Sequence, residues 1–531
     1  MDAIFRLGRS LSLCNQFHLN PQSLGFLDTL VLMKLFLKVS PKPSALSSYA
    51  TGPHIDFVRE TFKSFFNLLS YMAGIVGVYS KNDSTIDAYY CLVEIQHRGQ
   101  ENAGISALGN HSLRTHKGKR LISGIFHKDV LESFIHPTDY VSIGHVGDKK
   151  VERDSIAPIC LKSEKYDISV AMNGLIINRE EVEKKENVKA STDEELFGKL
   201  FLDKMNKTDD VVESFSYVME KLDKAYYSLV MGIHDKEDQI SFLTGARCKR
   251  GVKPMIMGRT EEDLYISSES GALDTLEHLG KKFIERRDVV PGEVFMVFDE
   301  EFYSQQILPP ERRHCAFEWV YTARPDSVIE GRTSHLVRKE LGHLTASLHE
   351  IKKNDKKIII GIPDSGRSVA LGLHEETDIP FDEGLIKNQY MGRTYIIPDS
   401  SERNQAAILK HNPIKEIVKG KEVIFGDDSI VRGTISDAVA QTLLNAGAEK
   451  VELLISYAPI FYPCFSDKPD KKLAAKGMED KNIFEIGDEV AKKLPSIEKV
   501  YYNTVDNVVK AIGLPREHLC TRCITGENPF D

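Results

Sequence analysis

The sequence predicts two sheet-built halves of different kinds. An α+β half with antiparallel strands runs to about residue 305, and an α/β half with a doubly wound parallel sheet follows. Three observations carry this. Short apolar runs crowd the first half with few helices between them. Strand and helix patterns alternate in the second half, as βαβ units do. At 531 residues the chain has material for two large domains or three ordinary ones.

The elements follow in order. GIVGVY at 74–79 is a short apolar run expected of a buried strand, and 87–96 reads as a helix ending before His97-Arg98-Gly99. Strand-like runs follow at 140–143, 168–171, 227–231, 239–243 and 294–297, with a helix over 194–206. The second half opens with a helix over 334–353 and a strand, KIIIGI, at 357–362. A strand at 422–425, a helix over 436–446 with Gly447 as its C-cap, and a strand at 451–456 complete the series. There is no internal repeat.

Composition narrows the function classes. Apolar residues make up 41% and charged residues 28%, a soluble globular balance that excludes a mainly disordered chain. The net charge of -9 argues against a whole-protein nucleic-acid footprint, and no basic recognition helix is evident. The best apolar run, 24–39, is interrupted by Asp28, Lys34 and Lys38 and is too short to span a bilayer. No A-x-A-like cleavage site directly follows it, so the chain is read as cytoplasmic, with no membrane partner. Residues 1–72 read as an N-terminal extension outside the mature protein. Residues 1–71 carry seven Lys/Arg against four Asp/Glu, as a transit peptide does, but Met72 directly before a regular domain start favours an upstream start codon.

The strongest chemistry lies in VIFGDDSIVRGT at 423–434. An apolar strand runs into Asp427 and Asp428, and a loop with Ser429, Arg432 and Gly433 enters a helix at Thr434. Ligands of α/β sheets bind at the carboxyl ends of strands, and backbone N–H groups at a helix start hold phosphate. The carboxylates share the sign of phosphate, so they suit ribose hydroxyls or Mg²⁺. A sugar phosphate is the implied ligand, since no GxxxxGK[ST] is present.

This string resembles the phosphoribosyl diphosphate motif of type I phosphoribosyltransferases. GIPDSGR at 361–367, with Asp364, Ser365, Gly366 and Arg367, resembles the pyrophosphate loop of that fold. KNQYMGRT at 387–394, with Lys387 and Tyr390, resembles its closing loop. With HRGQENAG at 97–104, SESGALD at 268–274 and EWVYTARPDS at 318–327, residues 73–531 resemble the glutamine phosphoribosylpyrophosphate amidotransferases. The resemblance implies an N-terminal nucleophile-type αββα sandwich, a degenerate glutaminase over 73–305. A type I phosphoribosyltransferase domain over 306–531 would follow. It also implies a homo-oligomer regulated by purine nucleotides.

The glutaminase site departs from the family. The family's mature chain begins Cys-Gly-Ile-Val-Gly, and here Ala73 holds the nucleophile position. A methyl group cannot attack a carboxamide. The family's Gly-His-Val-Arg clamps the glutamine carboxylate with its arginine, and here the string ends in Gly147. Asn173 and Gly174 match the family's oxyanion-hole pair, or form only a structural turn, and Asp193 matches the acid that binds the glutamine amine. Loss of both nucleophile and clamp points to natural loss of the site. In the transferase half, Gln389 replaces a loop arginine, and Gly366 stands where many relatives have a serine that helps place Mg²⁺. Lys410 is read either as a substrate contact or as a surface charge.

Four cysteines, Cys14, Cys91, Cys160 and Cys248, have no ligand spacing. Cys315, Cys464, Cys520 and Cys523 sit where some family members hold one structural [4Fe-4S] cluster, with zinc or free thiols as the alternatives. Three functions follow. The first is formation of phosphoribosylamine with Mg²⁺, from phosphoribosyl diphosphate and ammonia, free or supplied by a separate glutaminase. The others are phosphoribosyl transfer to another acceptor and a catalytically silent nucleotide-binding regulator.

Overall fold

The structure is a computed structural model that describes residues 72–530 except 83, 111, 149–152, 389–410 and 466–471. The first half carries thirteen strands: β1 (Ala73–Tyr79), β2 (Asn102–Gly109), β3 (Leu113–Gly118), β4 (Asp139–Gly147), β5 (Ile159–Lys162), β6 (Tyr166–Ile176), β7 (Ala225–Asp235), β8 (Ile240–Arg247), β9 (Ile256–Arg259), β10 (Leu264–Ser267), β11 (Glu285–Asp288), β12 (Glu293–Phe298) and β13 (Glu301–Gln306). They form two antiparallel sheets, ordered β11-β9-β10-β1-β4-β2-β3 and β13-β12-β8-β7-β6-β5.

Strand alternation builds four layers. In β1, Ile75 and Tyr79 face the second sheet and pack with Val230, Leu243 and Phe295. Val76 and Val78 face the other way, onto Ala88 and Leu92 of helix Ser84–Glu94 and Leu276 of helix Gly271–His278. The outer face of the second sheet is covered by helices Asp193–Thr208 and Val211–Lys221. A sheet sandwich between helix layers results, as the resemblance implied. The helix expected over 87–96 begins earlier, at Ser84, and a 3₁₀ turn at Gln96–Arg98 takes over its end.

The second half is built on parallel strands Lys357–Gly361, Glu422–Asp427, Lys450–Ile455 and Lys499–Tyr501, paired in that order. Ile359 also bridges in parallel to Phe381 on its free side. The chain therefore runs outward in one direction to 381 and in the other through 422, 450 and 499. The switch point falls between the strands ending at Gly361 and Asp427, where ligands of doubly wound sheets bind. The helix expected over 334–353 stops at His349, because Glu350 turns left-handed at φ 47° and its N–H caps Ala346.

Helices Ser334–His349 and Arg367–Thr377 cross at van der Waals distance through two glycines. A Cβ on Gly342 would lie 2.2 Å from the Val369 carbonyl oxygen, and one on Gly372 would lie 1.9 Å from that of Lys339. This contact seats the helix that begins at Arg367, directly after the switch-point loop.

A buried ion cluster joins the halves. Arg98 is fully buried; its Nη1 donates to Glu269 at 2.6 Å and its Nη2 to Glu318 at 3.0 Å, while Nε donates to the Ala73 carbonyl at 3.0 Å. Lys253 Nζ reaches Glu318 at 2.9 Å, and His97 Nε2 lies 2.7 Å from Glu269. The backbone N–H of Arg324 and the Ser327 hydroxyl donate to the second Glu269 oxygen. Burial alone would raise both carboxyls, but His97 and Arg98 hold Glu269, and Arg98 and Lys253 hold Glu318, below the usual range.

Two outcomes check this packing. Gly372→Leu lowers unfolding stability in urea by about 3 kcal/mol, because backbone blocks the new side chain. Glu318→Gln costs about 3 kcal/mol at pH 7, because Arg98 and Lys253 lose a buried partner. The folded-state pKa of Glu318 is depressed, so its contribution is complete above the unfolded value of about 4.3 and is lost as pH falls below it. The gap between wild type and variant therefore narrows in acid; a gap independent of pH contradicts the ion-pair account.

Candidate active sites

At the switch point, strand Glu422–Asp427 delivers two carboxylates at its carboxyl end. Asp427 and Asp428 are both buried. Ser365 Oγ donates to Asp427 Oδ1 at 3.0 Å, the Asp428 N–H donates to the same oxygen at 2.9 Å, and Ser429 Oγ donates to Asp428 Oδ2 at 2.5 Å. Burial, then the neighbouring charge of Asp428, pushes the Asp427 pKa well up. Burial raises Asp428 too, although Arg338 works against it. Two adjoining buried carboxylates of this kind suit a divalent cation. Among the described residues no group of three or more His, Cys, Asp or Glu surrounds one point closely enough to hold a metal ion. A cation held by this pair would take its remaining ligands from water and substrate oxygens, the usual arrangement for Mg²⁺.

At the facing rim two cations are paired with two carboxylates. Lys387 Nζ pairs with Asp364 at 2.8 Å, and Arg367 bridges Asp364 at 3.3 Å and Glu383 at 3.2 Å. Arg432 is exposed, and Gly433 at φ 83° turns the chain into helix Thr434–Asn445, whose first N–H groups have no partner within the helix and could hold a phosphate. Tyr390, Lys410 and Gln389 lie outside the described residues. Gly366 packs against the strand ending at Asp427: a Cβ there would lie 1.8 Å from the Gly426 carbonyl oxygen, and among the described residues Ser365 brings a hydroxyl to Asp427.

In the first half, Ala73 opens β1 opposite Gly147 of β4. A cavity of about 70 Å³ lies beside them, lined by Asn102, His145, Asp148, Arg179 and Asp193 among others. A Cβ on Gly147 would lie 2.8 Å from His145 Cε1 and 2.9 Å from Asn102 Oδ1, so a side chain there would require these two side-chain ends to move. Asn173 and Gly174 lie inside β6, paired with Ser228 and Tyr227, so the alternative of a turn is overturned. Asn173 is fully buried with neither amide atom hydrogen-bonded. Asp193 begins helix Asp193–Thr208; its Oδ2 accepts the Ile176 N–H at 2.9 Å and its Oδ1 lies 3.4 Å from Arg179. Sequence reading missed Arg179 and Asp148 as lining residues, since no motif marks either.

The four late cysteines converge. Cys315 and Cys520 face each other across a parallel two-strand pair, and Cys523 Sγ lies 3.3 Å from the Tyr457 hydroxyl. The Cys523 carbonyl accepts from Phe461 and Tyr462, which brings in the segment of Cys464. Burial pushes Cys520 up to about 11 and Cys523 to about 12, and it raises Cys315 strongly; the charge of Cys464 adds to all three. The four thiols on three segments share one neighbourhood, the ligand number of a cubane cluster, but among the described residues they are not gathered closely enough to form a metal-holding group. Beyond them the tail crosses to the first half, where Arg250 donates to the Pro529 carbonyl at 3.0 Å and lies 4.8 Å from the Phe530 ring centroid. Cys91 and Cys248 are buried core thiols, and Cys160 is half-buried 2.9 Å from Thr115 Oγ1. Cys14 lies outside the described residues.

No family model matches the chain. Two curated relatives from archaea do, both called amidophosphoribosyltransferase. The protein of Methanocaldococcus jannaschii is 36% identical over 492 residues, covering 87% of this chain and 98% of that one. The protein of Methanothermobacter thermautotrophicus is 35% identical over 475 residues, covering 86% and 94%. A solved glutamine phosphoribosylpyrophosphate amidotransferase from B. subtilis, complexed with ADP and GMP, superposes with a TM-score of 0.73 at 30% identity, covering 86% of this chain and 97% of that one. With these identities holding across nearly the whole length of both partners, the chain belongs to the amidophosphoribosyltransferase family.

Proposed function

We propose that the chain forms 5-phosphoribosylamine and pyrophosphate from phosphoribosyl diphosphate in purine biosynthesis, with ammonia rather than its own glutamine as nitrogen donor. The observation that supports this most is a contrast between the two sites. The switch-point site keeps its buried acid pair, hydroxyl, rim cations and helix start. The first-half site has a methyl group at the nucleophile position and no side chain at Gly147 to serve as a carboxylate clamp.

The chemistry follows from those residues. The N-terminus of helix Thr434–Asn445 holds the 5-phosphate, and Asp427 and Asp428 accept from the ribose hydroxyls. Lys387 and Arg367 face the pyrophosphate and stabilise the charge it gains as the bond to ribose C1 breaks. Asp427 and Asp428 would also hold Mg²⁺, which supplies further neutralisation of the leaving group. Ammonia then attacks C1, and the developing ammonium loses its proton to solvent. The nitrogen comes from free ammonia or a separate glutaminase. The complex of the B. subtilis relative suggests that purine nucleotides compete for the same ribose-phosphate cradle.

The four-thiol site belongs to the same reading. Cys315, Cys464, Cys520 and Cys523 would hold a [4Fe-4S] cluster that ties the tail to the transferase half. Protein purified without oxygen then contains about four irons per chain. Colourless protein with stoichiometric zinc contradicts this.

The test of function uses the full chain with phosphoribosyl diphosphate and Mg²⁺, following pyrophosphate release. Ammonium supports turnover, and glutamine yields no glutamate at about 1 per second or faster. Glutamate release at that rate overturns the ammonia reading. Tight binding of phosphoribosyl diphosphate without turnover on ammonium favours the silent regulator.

A further inference from the structure

The acid pair of the switch-point site lies at the end of its ladder. Asp427 is the last residue of its strand in register with the neighbouring one, opposite Ile455, and Asp428 lies beyond it. Two residues take over the clamping there. The Ser456 N–H donates to the Asp427 carbonyl at 3.1 Å. The Asp428 carbonyl accepts twice, from Ser456 Oγ at 3.1 Å and from the Tyr457 N–H at 3.0 Å. The backbone that presents both carboxylates is therefore held by segment 456–457.

That segment is itself anchored at two buried points. The Ser456 carbonyl accepts from Asn503 Nδ2 at 2.9 Å, and Asn503 is fully buried against Leu341 and Thr345 of helix Ser334–His349. Tyr457 is fully buried too, with its ring packed edge-to-face on Phe317 at a centroid distance of 5.2 Å. Its hydroxyl lies 3.3 Å from Cys523 Sγ. A buried phenol needs a hydrogen-bond partner, and a sulfur serves as one whether it is a thiol or a metal-bound thiolate. Cys523 holds the same stretch a second time, since its carbonyl accepts the N–H groups of Phe461 at 3.0 Å and Tyr462 at 3.1 Å. One residue of the tail therefore grips this stretch at both ends. Tyr457 carries that grip from a sulfur, at its side-chain end, to the Asp428 carbonyl, at its backbone end.

We propose that Tyr457 is a positioning residue for phosphoribosyl diphosphate: its hydroxyl, anchored on the Cys523 sulfur, fixes the backbone that presents Asp427 and Asp428 to the ribose, so the docking of the tail sets the affinity for substrate. A small displacement of the pair matters, because binding groups must be held close to their productive geometry. The inference deepens the reading of the switch-point site given above and rests on it.

Calorimetric titration of the full chain with phosphoribosyl diphosphate and Mg²⁺ tests this, with no turnover required. Tyr457→Phe keeps the ring and loses only the hydroxyl. It weakens binding about fivefold, the scale of one neutral hydrogen bond, and leaves the KM for ammonium unchanged. Cys523→Ala weakens binding as well, and Tyr457→Phe adds nothing further in that background, because both remove the same contact. A lower melting temperature with unchanged affinity in Tyr457→Phe, or additive losses in the double variant, overturns the proposal. Should Cys523→Ala not fold, the affinity of Tyr457→Phe decides alone. Unchanged affinity beside normal turnover on ammonium sinks the positioning role and leaves the function standing. Weakened affinity in Tyr457→Phe, where the wild-type chain binds without turnover, does the reverse. A wild-type chain that does not bind phosphoribosyl diphosphate overturns both.

Discussion

The buried contact of Arg98 with Glu269 and Glu318 is the constraint on which the arrangement of the two halves depends. A guanidinium removed from water needs its charge and its donors satisfied together. Glu269 comes from the turn after β10, and Glu318 from the first segment of the second half. The third donor, Nε, is spent on the carbonyl of Ala73, so the first residue of β1 is fixed by the same side chain that fixes the junction. Lys253 completes the charge balance at Glu318 and lies close enough to Cys315 to influence its thiol. The junction, the old nucleophile position and the thiol site are therefore held by one continuous set of charges.

The scaffold around residue 73 is held independently of the side chain there. Replacing a thiol by a methyl at residue 73 removes no packing partner of Ile75 or Val76, which carry β1 into its two cores. Gly147 leaves the ladder between β1 and β4 intact. Asp193 remains because it caps the end of β6 and pairs with Arg179, which are structural duties. Asn173 has no such duty in the described residues: it is a fully buried amide with no hydrogen-bond partner, which is costly.

Much of this was legible in the sequence. The alternation of apolar runs marked the two halves, and the glycine and aspartate pattern of 423–434 marked the strand–loop–helix that the structure places at the switch point. HRGQ, SESG and EWVYTARPDS could be recognised as strings, but not as partners. Their meeting is a tertiary event across 171 to 220 residues, and local pattern carries no information about it. The tight fit of Gly366 was hidden for a related reason: it is set by a carbonyl of a strand about sixty residues on, not by the loop it belongs to. The cavity's lining was likewise hidden, because Arg179 and Asp148 have no motif.

The central claim is that a working transferase is paired with a glutamine site that no longer hydrolyses. It is tested most directly by isotope. The full chain would be given phosphoribosyl diphosphate, Mg²⁺, nitrogen-15 ammonium and unlabelled glutamine together, and the trapped phosphoribosylamine analysed by mass. Product carrying only the heavy isotope is the predicted result. Product carrying nitrogen from the glutamine amide would contradict the account.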